Sequence, residues 1–193
     1  MNIFAILFWL GLILQVIIRS PFDRAQRKEK KIIQLKTKLE NILLVMLTLG
    51  GLVLPFIYSF TNLIVFANFS LPTWSQWFGA FLLASGILFF WRSHLDLGIN
   101  WSPSLEIREK HNLVTHGIYK RIRHPMYTSL WIMSLAQPLL LPNWISGFGN
   151  LVFFIPFYFF RVSEEEKMMT ETFGKEYEEY VQKTGSIFPK LRF

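Results

Sequence analysis

Two short polar clusters interrupt an otherwise apolar chain, and their residue types suit chemistry on a small charged molecule. The first lies within Asn100 to Tyr127, where Tyr119, Arg123, His124 and Tyr127 surround Pro125 just as an apolar run begins. Proline suits the first turn of a helix, because its missing N–H would have no partner there. The amides exposed at such a helix start can receive anionic or polar groups, and the two tyrosines offer rings to a flat heterocycle. The second cluster is Arg161 to Glu166 (RVSEEE), where a later apolar run ends. Arg161 and Glu165 are four apart and share a helix face, so a guanidinium and a carboxylate can address one bound molecule. Each cluster also has a bland reading. Arg123 can sit on a lipid phosphate with the tyrosines and histidines anchoring the interface, and Arg161 can snorkel above a solvated acidic turn.

Several chemistries are excluded outright. The chain has no cysteine, which removes disulfides, thiolate metal sites and a cysteine nucleophile. No H-E-x-x-H, G-x-x-x-x-G-K-[ST] or G-x-S-x-G occurs. No metal site is expected. Gly147-Phe148-Gly149 sits inside an apolar run and is a packing feature.

The elements that must position the clusters are membrane helices. Only 17% of the 193 residues are charged, against about 25% in soluble domains, and mean hydropathy is +0.33. Five apolar stretches are candidate spans: 3–18, 42–60, 74–91, 126–141 and 144–160. The last two are separated only by Pro142-Asn143, which demands a tight helical hairpin. Gly50-Gly51 permits close helix contact, and Pro55 predicts a kink. All 20 Lys and Arg fall between Arg19 and Lys38, between Arg92 and Arg123, or beyond Arg161. Five crossings therefore put every basic residue in the cytoplasm, with the N-terminus outside and the C-terminus inside. A net charge of +7 is then topology, and no nucleic acid partner is expected. The hairpin also brings Pro125 and Arg161 to one membrane depth, merging the two clusters into one candidate pocket.

Two cytoplasmic pieces have their own character. Arg27 to Glu40 (RKEKKIIQLKTKLE) is a basic stretch suited to an anionic leaflet, or equally a solvated loop that only fixes orientation. Met169, Phe173, Tyr177 and Val181 recur every fourth residue, which predicts an amphipathic helix folding back over the bundle, with Gly185 as its stop.

At these residues the chain resembles the isoprenylcysteine carboxyl methyltransferase family, related to the phospholipid methyltransferases. The resemblance runs through H-x-L-V-x-x-G-x-Y-x-x-x-R-H-P-x-Y at His111 to Tyr127 and R-x-x-x-E-E at Arg161 to Glu166. It continues in F-G-x-E-Y-x-x-Y at Phe173 to Tyr180 and a closing Pro189. It covers roughly the last half of the chain. It implies an all-α membrane-embedded methyltransferase, one domain over 1–193, with its cofactor region at about 100–127 and 161–189. S-adenosylmethionine would bind on the cytoplasmic side against Glu106, His111, Asn112, Leu113, Val114, Tyr119, His124, Pro125, Met126, Tyr127 and Glu165. Arg161 would face the methyl acceptor, and Arg161 and Glu165 would be the catalytic pair. The expected acceptor is a lipophilic or lipid-modified carboxylate of isoprenylcysteine type, with membrane lipids around it and no obligate protein partner. A phospholipid amine is the alternative acceptor. Membrane sterol reductases using NADPH share R-H-P-x-Y but usually continue with Gly-Glu, whereas Thr128-Ser129 follow here. A non-catalytic membrane scaffold is the third reading.

Overall fold

The computed structural model describes residues 2–26, 31–35, 37–102, 105–108 and 112–190. The architecture is helical: α1 (Ile3–Gln26), α2 (Lys38–Thr48), α3 (Leu54–Phe60), α4 (Thr73–Leu97), α5 (Pro125–Leu140), α6 (Trp144–Phe173) and α7 (Lys175–Lys183). One short antiparallel ladder joins β1 (Lys31–Leu35) to β2 (Leu105–Arg108). Part of the basic stretch, read as leaflet-bound or as a solvated loop, is therefore paired as a strand. Ile32 and Ile33, both β-branched, favour that extended backbone.

Among the described residues four helices are long and apolar enough to cross a membrane: Ile3–Ala25, Lys38–Phe60, Thr73–Asn100 and Trp144–Phe173. The chain is an integral membrane protein. The expected span 126–141 corresponds to α5, whose 16 residues extend about 24 Å, and it falls outside that set of four.

α2 and α3 form one rod joined by a π-helical turn, Leu49–Val53. Pro55 offers no N–H to the preceding turn, and the wider π turn accommodates this where a kink was expected. Gly50 sits against α6 so closely that a Cβ there would stand 2.6 Å from the Gly149 carbonyl oxygen. Within lipid no water can satisfy a displaced carbonyl. The buried Gln137 of α5 does so, donating through Nε2 to Gly50 O (3.0 Å) and Ser146 O (2.7 Å).

The core lies where α1, α4 and α5 meet, built on Phe4, Phe8, Leu83, Phe90, Met133, Ala136 and Leu140. Gly79 and Gly86, two turns apart, let α4 approach α5; a Cβ on Gly79 would lie 2.6 Å from Leu139 Cβ. The α5–α6 hairpin is tight, as expected. Fully buried Asn143 caps α6 by accepting from Ile145 N and Ser146 N (3.0 and 2.9 Å). Its Nδ2 donates to Ile64 O and Asn68 Oδ1, tying the hairpin to the 61–73 loop. Pro125 and Arg161 consequently lie at the opposite end of the bundle.

α6 has 30 residues, about 45 Å, against a hydrocarbon core of about 30 Å. Its apolar part is 144–160, and the charged residues begin at Arg161. The amphipathic helix expected through 169–181 is split in two, because Gly174 adopts φ +51° and ends α6. α7 follows, with Tyr177 and Tyr180 buried. It stops at Lys183 with Thr184 as its cap, just ahead of Gly185.

Candidate active site

The His-Pro turn and the Arg-Glu turn meet. Pro125 opens α5 as expected and is fully buried. The Tyr127 hydroxyl donates to Glu165 Oε2 at 2.9 Å and lies within hydrogen-bonding reach of Arg161. His124 Nε2 donates to Glu166 Oε1 at 2.9 Å, since a carboxylate can only accept, while its Nδ1 stands 3.9 Å from Glu165 Oε1. Arg161, 5% exposed, pairs with Glu40 of α2, which is 2% exposed. A continuous chain of polar contacts thus runs Glu40, Arg161, Tyr127, Glu165, bridging α2, α5 and α6.

Arg123 is not on a lipid headgroup. Its guanidinium donates to Glu166 Oε1 (2.9 and 3.1 Å) and to the carbonyls of Thr184 (2.7 Å) and Val181 (3.4 Å). The backbone completes this clamp: Arg123 N donates to Gly185 O and His124 N to Ser186 O, while Thr128 Oγ1 donates to Ile187 O. The C-terminal tail therefore fixes the His-Pro turn from behind. A Cβ on Gly185 would run into the carbonyl of Phe188, so the tail's return needs glycine.

Glu166 is held down to about 2 by its hydrogen bond to His124, against the cost of burial, with Arg123 adding to the effect. A carboxylate depressed below its ordinary 4.5 contributes stability at neutral pH and loses it as acid approaches its lowered value. Between about pH 4 and 2 the tail should release from the His-Pro turn, read as protease sensitivity after Lys175. Glu166→Gln should shift that sensitivity to neutral pH.

The remaining expected site residues are placed as follows. Tyr119 is buried under α7, its carbonyl accepting from the Tyr180 hydroxyl at 2.6 Å. Burial pushes both phenols above their ordinary value, so they stay protonated donors. Val114 is buried and Leu113 half-buried. Asn112 N donates to Asn100 Oδ1 (2.9 Å), and Met126 Sδ accepts from Trp101 Nε1 (3.3 Å). Glu106 lies on β2 opposite Gln34. His111 lies outside the described residues.

Comparison with known proteins follows this geometry. Residues 78–171, from within α4 to the charged end of α6, match the model of the isoprenylcysteine carboxyl methyltransferase family. Over that segment the chain is similar to the family. Protein-S-isoprenylcysteine O-methyltransferase A of Arabidopsis thaliana is 29% identical, over 67% of this chain and 66% of its own. The enzyme of Dictyostelium discoideum is 34% identical over 63% and 53%, and that of Homo sapiens 32% over 45% and 31%. The chain thus spans two thirds or less of these relatives' lengths. A solved eukaryotic intramembrane Ras methyltransferase of the family superposes with a TM-score of 0.52 at 23% identity, over 80% of this chain and 54% of that one. The likeness establishes the fold of the bundle.

Two structural members of this site escape a reading of the sequence. Asp96 accepts from Ile118 N (2.8 Å) and pairs with Arg92 (2.8 Å), organising the turn Gly117–Lys120. A side chain on Gly117, at φ +58°, would collide with its carboxylate. Glu40 is the other; its only local signal is T-x-x-E at a helix start.

Proposed function

We propose that the chain, acting as a single unit, is a methyltransferase that moves the methyl of S-adenosylmethionine to the carboxylate of an isoprenylcysteine-like lipophilic acceptor. The observation that carries this reading is the meeting of Tyr127, Glu165 and Arg161 at one end of the bundle, inside the segment that matches the family. The donor bears a sulfonium, an ammonium, a carboxylate and an adenine. Glu165 complements its positive charge, and the His124 to Tyr127 turn offers backbone and ring, with Glu106, His111 to Val114 and Tyr119 completing the pocket. α5 crosses with the four longer helices, the N-terminus lies outside, and the site opens to the cytoplasm.

Transfer needs alignment more than acid or base. A carboxylate oxygen attacks the methyl carbon, the carbon–sulfur bond breaks, and its electron pair stays on sulfur. The acceptor's negative charge and the donor's sulfonium charge vanish together, with no proton to remove. Arg161 can hold the acceptor carboxylate until that moment. An ammonium acceptor would need a base, and the carboxylates at hand are poor ones. Glu166 is held near 2 by His124 and Arg123, and Glu165 already accepts from Tyr127. The geometry therefore favours the carboxylate.

Titration of the detergent-purified chain with S-adenosylmethionine and separately with NADPH tests the reading. Saturable binding of the methyl donor alone supports it, binding of NADPH alone overturns it in favour of a reductase, and binding of neither points to a scaffold.

A further inference from the structure

Glu40 has no part in the chemistry above, yet it is among the most buried charged side chains, and its carboxylate goes to Arg161. Thr37 and Glu40 spell a capping box, in which the acid would turn back to the Thr37 N–H. Half of that motif is built, since Thr37 Oγ1 accepts from Glu40 N at 3.0 Å. The other half is given up, and Glu40 reaches α6 instead. Two apolar side chains would join α2 to α6 without the cost of desolvating two charges, so this buried pair calls for a reason other than stability.

We propose that Glu40 is a built-in counter-carboxylate that occupies Arg161 between turnovers, yields it to the acceptor carboxylate, and takes it back once the acceptor has been methylated. The inference rests on the carboxylate acceptor argued above. A buried guanidinium demands an anion at every stage. When the acid arrives, one carboxylate replaces another on Arg161, and the displaced Glu40 carboxylate turns to water or takes up a proton, so that no second charge is left buried. When the new oxygen–methyl bond forms and the carbon–sulfur electron pair stays on sulfur, the acceptor becomes a neutral ester. It can no longer balance Arg161. Glu40 returns, and the product loses its strongest polar contact. The carboxylate sits on a side chain with three rotatable bonds, so the exchange needs no movement of α2. The arrangement also selects acids, because a neutral lipid cannot displace Glu40.

The test uses the full chain in detergent, with an S-prenyl thioether acid and its methyl ester as probes, and reads binding rather than turnover. Glu40→Gln keeps the shape and removes the competing charge, so the acid should bind about fivefold tighter or better, while the ester changes less than about twofold. Glu40→Asp, with a shorter arm, should give an intermediate gain for the acid and carries the test if the amide variant does not fold. Unchanged or weaker acid binding in the folded variants overturns the proposal, as does an equal gain for acid and ester. Acid binding to neither the native chain nor the variants also overturns it. A native chain that binds the acid but transfers no methyl sinks the methyltransferase reading while leaving the Glu40 result to stand.

Discussion

Arg161→Ala should nearly abolish methyl transfer, by about two to three orders of magnitude, while S-adenosylmethionine binding changes less than about threefold. The turnover loss follows from removing the fork that holds the acceptor carboxylate, whereas the donor is assigned to Glu165 and the His124 to Tyr127 turn. The same substitution should also cost about 3–5 kcal/mol of stability, because it strands the buried carboxylate of Glu40. The two effects separate in a double mutant. Arg161→Ala with Glu40→Ala removes both charges and should recover much of the thermal stability without recovering activity. A double mutant as unstable as the sum of the singles would mean that the pair contributes nothing beyond its separate members. Arg161→Lys keeps the charge but loses the paired hydrogen bonds, so it should fold well and remain slow.

Glu165→Ala carries the second large effect, on the donor. A carboxylate that complements a cation is worth about 1.5–3 kcal/mol, so the dissociation constant for S-adenosylmethionine should rise about ten- to a hundredfold. Glu165→Gln should lose nearly as much, since the charge is what the sulfonium and ammonium meet. Tyr127→Phe, which removes the 2.9 Å bond that orients Glu165, should cost a few-fold. Isothermal titration of the three variants checks the order. Equal binding by Glu165→Ala and the native chain would take Glu165 out of the donor site.

The meeting of the Arg161–Glu165 turn with the His-Pro turn was legible in the sequence because local rules suffice for it. A proline at the start of an apolar run marks a helix start, a four-residue spacing marks a shared face, and a two-residue break forces the hairpin that levels both. The π turn at Leu49–Val53 was not legible, since Gly50-Gly51 and Pro55 announce an irregularity without saying which one. Nor was the partner of its displaced carbonyl, Gln137, which lies 87 residues away. Gly174 reads as one more residue in a four-residue periodicity, yet its positive φ divides the amphipathic helix. Arg123 and Glu40 show the same limit from the side of charge. A basic residue at an interface suggests a phosphate, and an acid after Thr37 suggests a cap. In the folded chain Arg123 belongs to Glu166 and the C-terminal tail, and Glu40 to Arg161. Pairings over such sequence distances are set by how the helices assemble, and no local spacing encodes them.

The most direct measurement follows the methyl group itself. Purified chain would be incubated with S-adenosylmethionine labelled in its methyl, together with S-prenyl thioether acids and, separately, aminolipids, and the lipid extract treated with alkali. The expected result is label in the acids alone, released by alkali as methanol, because a carboxyl ester hydrolyses in base. Label in the aminolipids that survives alkali would show transfer to nitrogen and contradict the role given to Arg161.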